Sequence, residues 1–235
     1  MEPAFDFSGT GPGPRARDGC SVELYRRQQY GGEIEHLRPR LPAGTSVLEL
    51  GCGTGLLAHR LLEFGCDVTG VDNSAQMLAH VSERVHRVQC DIEALQLARR
   101  FDVVLLPSGL VNHADARVRR AFVAVAARHV APGGELILKR QDDAWLRSAV
   151  VGPLGALGAM RVAVARVDRT PGPDGDVVAM TLRYDLDGET WTHAFTVVAL
   201  DEAAVARLLR EQGLAAPEAL DERRLWLATR LVTAS

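Results

Sequence analysis

Three glycines and three carboxylates recur along this chain at spacings that could hold a charged small molecule. The glycines, Gly51, Gly53 and Gly55, lie in TSVLELGCGTG, residues 45 to 55. Such residues permit positive φ and close approach of a ligand to backbone N–H groups, and a helix beginning directly behind them adds partial positive charge. A nucleotide-like ligand suits that cradle. The dinucleotide fingerprint G-x-G-x-x-G is not met, because the position three beyond Gly53 is Leu56 and the third glycine arrives one residue early. Glu49, two residues before Gly51, would repel a pyrophosphate and attract an ammonium group. Asp72 and Asp91 each end an apolar run, where they could bind a ligand or simply cap a helix. His113, in LLPSGLVNHAD, has a side-chain type whose ordinary pKa near 6.5 suits proton abstraction from a hydroxyl or ammonium acceptor; the competing reading is a helix-entry histidine touching solvent. Cys52 has no basic neighbour in sequence to activate its thiol and reads as a small residue in a tight turn.

These residues must be positioned by alternating elements. An apolar run at 47–50 breaks into the glycines, helical spacing follows from 56 to 64, and a strand over 68–71 ends in Asp72. The spacing then predicts a helix over 74–85, strands over 87–90 and 101–106, a helix over 116–130 capped by Asp115, and a strand over 135–139. Alternation of this kind demands a parallel sheet with helices on both faces, whose right-handed crossovers put the strand C-termini along one edge. Beyond that, residues 160–168, 177–186 and 189–198 alternate like three antiparallel strands. A helix over 200–214 and a returning strand over 224–232 complete the pattern.

Composition narrows the partners. A chain of 235 residues with a net charge of −3 and its 27 basic side chains scattered among 30 acidic ones offers no basic face to a nucleic acid. All but one of the basic residues are arginine, Lys139 being the exception. The four cysteines, at 20, 52, 66 and 90, form neither a zinc pattern nor a disulfide framework, so no metal is expected and the reading is a reduced, cytoplasmic chain. No run of about 18 apolar residues could span a bilayer. The Gly- and Pro-rich residues 1–19 are expected to be mobile.

Taken together, V-L-E-L-G-C-G-T-G, then G-V-D-N-S-x-x-M-L, then C-D-I-E, then F-D-V-V-L-L resemble the class I S-adenosylmethionine (SAM)-dependent methyltransferases, over roughly residues 45 to 140. The resemblance implies an α/β, doubly wound Rossmann-like sheet, mostly parallel with an antiparallel last strand, plus a small antiparallel β cap. It implies SAM as cofactor and S-adenosylhomocysteine as product. By the same resemblance Gly51, Cys52, Gly53 and Gly55 would lie against the methionine moiety and ribose, and Glu49 would reach the amino group. Asp72, with Asn73 beside it, would accept the ribose hydroxyls; Met77 would flank the adenine, Asp91 and Ile92 would meet its edge, and Leu106 would complete the wall. The helical segment SVELYRRQQYGGEIEHL would close over the cofactor, with Tyr25 and Tyr30 as lid residues. The usual histidine pair after the fourth strand is replaced by valine and asparagine at 111 and 112, with His113 displaced by one position.

The expected organisation is therefore residues 1–19 as a mobile segment, 20–44 as a helical lid, 45–141 as the SAM-binding core, 142–199 as an acceptor cap, and 200–235 as the last helix and strands. The acceptor would be a small organic molecule of bacterial specialised metabolism, with neither nucleic acid nor membrane as partner and a homodimer left open. Period-two alternation puts Trp191, His193, Phe195 and Val197 on one face of the cap, and Val178, Met180, Leu182, Tyr184 and Leu186 on one face of the preceding strand. Trp191, Met180 and Tyr184, with Asn112, either roof an acceptor pocket or pack as core, and His193 stands beside His113 as a candidate base. Two other readings are a SAM-binding enzyme of non-methyl chemistry and a noncatalytic SAM-binding subunit.

Overall fold

The computed structural model describes residues 7–232. In chain order the elements are β1 (Ser8–Thr10), α1 (Val22–Arg27), a 3-10 turn at Glu35–Arg40, β2 (Ser46–Leu50), α2 (Leu56–Glu63), β3 (Asp67–Asp72), α3 (Ala75–Leu78), β4 (His86–Gln89), β5 (Phe101–Leu106), α4 (Ala116–His129), β6 (Val130–Lys139), α5 (Asp143–Ser148), β7 (Gly152–Leu157), β8 (Met160–Thr170), β9 (Val177–Leu186), β10 (Glu189–Val198), α6 (Glu202–Glu211), β11 (Glu218–Ala219) and β12 (Trp226–Thr229). A seven-stranded sheet has the order β11-β12-β6-β5-β2-β3-β4, parallel from β6 to β4 and antiparallel at β12. The fold is a doubly wound, Rossmann-like sheet, mostly parallel with an antiparallel strand beside β6, plus a separate antiparallel sheet.

The central strands β2 and β5 read as nearly continuous apolar runs because both of their faces are buried. One face carries Val47, Val103, Leu105, Ile137, Trp226 and Ala228 against α2 and the 34–41 segment. The other carries Leu48, Leu50, Val104, Leu106, Leu136, Leu138 and Leu227 against α4 and α6. Asp115 caps α4 by accepting from the Arg117 N–H at 2.7 Å, as expected.

Three elements depart from the sequence expectation. The helical segment expected within 20–44 is only the six-residue α1, whose C-cap is Gln28, followed after a break by the 3-10 turn at Glu35–Arg40. The helix predicted over 74–85 stops at Leu78. Beyond it the chain tightens into 3-10-type turns, the His80 N–H donating to the Met77 carbonyl and the Val81 N–H to the Leu78 carbonyl, and the Ser82 N–H then donates to His59 Nε2 at 2.9 Å. The cap has five strands, not three, in the order β1-β10-β9-β8-β7. Its extra edge, β1, comes from the segment expected to be mobile and pairs Ser8 to Thr10 with Ala194 to Thr192. The glycines there serve close packing rather than looseness. A Cβ on Gly9 would lie 2.0 Å from the Gly19 carbonyl oxygen, and one on Gly11 would lie 2.5 Å from the Trp191 ring. Residues 1–6 of that expectation lie outside the described residues.

The candidate cofactor site and its lid

The cradle after β2 is built by backbone. Gly51 and Cys52 both donate to the Val71 carbonyl, at 2.8 and 2.9 Å, locking the turn to the end of β3. Gly51, Gly53 and Gly55 have φ of 76°, 54° and 89°, a region that costs any other residue free energy, and α2 starts immediately behind them. Leu110 and Ile92 wall the turn, their Cδ1 atoms 3.0 and 3.9 Å from where a Gly51 Cβ would be.

Glu49 is 2% exposed, and its Oε2 is fully buried with no hydrogen-bond partner. Burial, with the field of Asp72 added, pushes its pKa up to about 8. A buried acceptor of this kind costs about 1–3 kcal/mol until a donor reaches it. The oxygen fits an ammonium group.

Asp72 is set differently. One carboxylate oxygen accepts from the Gly53 N–H and the other from the Ser74 N–H, each at 2.9 Å. Each oxygen keeps lone-pair capacity for one further donor, the complement of a vicinal diol. Burial raises its pKa, against the lowering effect of the two backbone bonds.

At the far end Asp91 is held below the usual carboxylate range by hydrogen bonds from Asn73 Nδ2, at 2.9 Å, and Arg17, at 2.5 Å. These residues line a groove of about 460 Å3 together with Arg15, Ala16 and Gln89. Met77 is buried beneath Cys20 and Val22 of the lid.

A second cavity, of about 210 Å3, opens over the cradle and is lined by Glu49, Gly51, Cys52, Gly53, Tyr25 and Ser108 among others. The segment carrying Cys20, Val22 and Tyr25 crosses between the two spaces. Tyr25 is fixed there, its carbonyl accepting from Thr54 Oγ1 at 3.3 Å and its hydroxyl from the Cys20 thiol at 3.4 Å. Ser108 holds φ of 61°, a strained value for a serine, at the mouth of the same cavity.

Several sequence-predicted residues fall elsewhere. Tyr30 does not reach the cavity: its hydroxyl donates to Glu35, accepts from the Ile34 N–H, and its ring lies under Arg60. Leu106 is sealed in the core. The Cys52 thiol is buried beside Glu49 and Asp72, all of which oppose its ionisation. Asn112 is completely buried, donating to the Val198 carbonyl and accepting from the Gln141 N–H, both at 2.8 Å, so its amide has structural partners rather than a ligand.

Trp191 is also fully buried, packed with Leu24, Met160 and Leu186, and its indole N–H donates to the Pro12 carbonyl at 2.9 Å. Met180 packs with Leu146, Val164 and Val178. Both are core, because the apolar face of the cap is closed by α5 and by the N-terminal segment. Tyr184 lies at the edge of the Trp191 cluster, half-buried.

Neither histidine lines the cavity over the cradle. His113 stacks on Phe7 and meets Phe122 edge-on, and its Nδ1 accepts from the Asp115 N–H at 3.1 Å. His193 Nε2 lies 3.2 Å from the Asp18 carbonyl, which can only accept, so that nitrogen carries the proton. Burial lowers the pKa of both.

Sequence reasoning missed Lys139, Glu33, Gln28 and Trp226, which line the cavity opposite the cradle. The available signal was Lys139 itself, the chain's single lysine at the carboxyl end of a central strand. Among the described residues no three His, Cys, Asp or Glu side chains could hold a metal ion, and no helix is long and apolar enough to cross a membrane.

Comparison with known proteins places these features. Residues 47–134 match a family described as a methyltransferase domain. A dTDP-3-amino-3,4,6-trideoxy-alpha-D-glucopyranose N,N-dimethyltransferase of Streptomyces venezuelae is 31% identical over 143 residues, which are 54% of this chain and 60% of the relative. The chain thus spans about three-fifths of that protein's length. Among solved structures, the sugar N-methyltransferase KedS8 from Streptoalloteichus sp superposes with a TM-score of 0.68 at 21% identity, covering 94% of this chain and 96% of that one. SAM-bound CalS10, an amino pentose methyltransferase from Micromonospora echinaspora, gives a TM-score of 0.63 at 22% identity, covering 88% of this chain and 94% of that one.

Proposed function

We propose that this chain, whose residues 47–134 match a methyltransferase domain family, is a class I SAM-dependent methyltransferase that transfers the methyl group of SAM to a nucleophilic atom of a small organic molecule of bacterial specialised metabolism. The observation that carries this reading is the orphaned, fully buried Glu49 oxygen beside a glycine cradle, with Asp72 offering two further acceptor positions one strand away. An acceptor for an ammonium and, one strand away, acceptors for a vicinal diol, with the glycine cradle between them, suit the two ends of SAM. The likeness to a Streptomyces amino-sugar dimethyltransferase supports the acceptor class.

When bound, SAM supplies an electrophilic methyl group on a sulfonium. The chain's own part is positioning. Glu49 would take the ammonium, Asp72 the ribose hydroxyls, and Met77 and Ile92 the adenine faces. Tyr25 and the lid would exclude water from the cavity. Holding a nucleophile in line with the methyl group can supply roughly 7–11 kcal/mol of the barrier, so methyl transfer needs no histidine in the cavity. The placement of His113 and His193 outside it supports transfer by proximity.

Titration calorimetry of the parent protein with SAM, S-adenosylhomocysteine and NADH tests the cofactor assignment. Binding of the two sulfur ligands and not of NADH is expected; binding of NADH alone would overturn it. Incubation with SAM and a panel of amino- and hydroxyl-bearing sugars and aromatics, followed by mass spectrometry, then reads the added methyl group.

A further inference from the structure

The cavity over the cradle holds two ionisable groups of opposite type, the Glu49 carboxyl and the Lys139 amine, that do not pair with each other. Glu49 lies in register with Leu105, and Leu105 with Ile137, so Glu49 and Ile137 share one face of the sheet with β5 between them. Lys139, two residues beyond Ile137, shares that face and is paired across β12 with Trp226. Strand spacing puts the Glu49 and Lys139 backbones about 12 Å apart. Both residues line the same cavity, together with Gly51 and Gly53.

Neither group is in an ion pair among the described residues, although the Glu33 carboxylate lines the same cavity and acts on Lys139 from a distance. The Glu49 Oε2 has no donor. Among the described residues no carboxylate lies within ion-pair distance of Lys139, whose Nζ sits 5.5 Å from the centre of the Trp226 ring. Its pKa is lowered by burial, with Glu33 and Asp221 acting the other way only at a distance. A half-buried ammonium and a buried carboxylate, held apart in one cavity, are the complement of a group carrying both charges a few ångströms apart.

We infer that Lys139 binds the α-carboxylate of the amino-acid end of SAM, opposite Glu49 on its α-ammonium, so that the two side chains read the cofactor's zwitterion. The inference rests on the reading of the cavity as a SAM site and adds to it a residue that the glycine and acidic motifs do not contain. The amine on its flexible stem can donate up to three hydrogen bonds, enough for both carboxylate oxygens.

The test compares SAM with its decarboxylated analogue, S-adenosyl-methioninamine, which keeps the ammonium and lacks the carboxylate. Calorimetry is done on the parent and on Lys139→Met, Lys139→Arg and Glu49→Gln. The parent should prefer SAM by about 10- to 100-fold, the range of a charge-assisted hydrogen bond. Lys139→Met should lose most of that preference by weakening SAM alone, leaving the analogue's affinity within about twofold as an internal control for folding. Lys139→Arg should restore part of it, and Glu49→Gln should weaken both ligands. Equal loss of both ligands in Lys139→Met, unchanged SAM binding in that variant, or no preference in the parent would overturn the assignment. A parent that binds neither ligand would instead remove the SAM site itself, on which the inference stands.

Discussion

Trp191 is the side chain through which the cap, the lid and the N-terminal strand hold one another, and its truncation measures that junction. The indole is completely buried among Leu24, Met160 and Leu186; Arg27 lies over its ring at 5.5 Å, and its N–H donates to the Pro12 carbonyl. Removing a packed indole costs about 3–5 kcal/mol, and leaving the Pro12 carbonyl without its donor adds about 1 kcal/mol. For a domain of this size about 2–4 °C of melting temperature is lost per kcal/mol, so Trp191→Ala should melt roughly 10–20 °C below the parent. Trp191→Phe, which keeps most of the packing and loses the hydrogen bond, should fall by less than half as much. Because Pro12 and Gly11 lean on the ring, Trp191→Ala should also free the segment before α1, read as rapid hydrogen exchange at Gly9 and Thr10 in a variant still folded at low temperature. Scanning calorimetry and exchange mass spectrometry make the measurement. A variant that melts within a few degrees of the parent, keeps its exchange protection and loses affinity for an acceptor would refute the packing argument and return Trp191 to a pocket wall.

Four further outcomes follow from the site. Glu49, with a folded pKa near 8 against 4.5 when exposed, binds its proton more tightly in the folded state, so it lowers stability progressively as pH rises from about 4.5 to about 8; Glu49→Gln should flatten that fall in a pH series of melting curves. An ammonium beside it favours the ionised form, so SAM binding near neutral pH should release protons, measured by calorimetry in buffers of different ionisation enthalpy, and the Gln variant should release fewer. Asp72→Ala should weaken SAM binding by about 10- to 150-fold through loss of hydrogen bonds to a charged group, and unchanged affinity would end the diol assignment. His113→Ala should change turnover by less than about fivefold while lowering the melting temperature, since its ring is spent on Phe7 and Phe122; a drop of 10²-fold, the scale of general-base catalysis, would place it at the reacting atoms after all.

What could be read from the sequence follows the distance over which each feature is built. The cradle, Glu49 and Asp72 were legible because strand, turn and helix are consecutive in the chain, and the Val71 carbonyl that locks the turn lies only one strand further on. The apolar face shared by β9 and β10 was legible for the same reason, through a two-residue turn and period-two alternation. What covers that face was not, because the partner of Trp191 is Pro12, 179 residues away, and composition alone made residues 7–19 look loose. Asn112 and His113 misled in the opposite direction: their place after a central strand suggested chemistry, whereas the amide is consumed by Val198 and Gln141.

Lys139 shows the remaining gap most plainly. Its being the single lysine at a strand end was the only mark in the sequence, and the register from β2 through β5 to β6 is what sets it on the same face as Glu49. The glycine cradle with Asp72 and Asp91 is therefore written in contiguous motifs, while the wall carrying Lys139 and Tyr25 is assembled by sheet order and by the returning N-terminal segment. Cys20, Tyr25 and His193 meet there only because β1 pairs with β10. The contiguous motifs around Glu49, Gly51 and Asp72 and the long-range junction of β1 with β10 are thus separate in the chain, so substitutions along residues 7–30 leave the cradle's own backbone bonds to Val71 untouched.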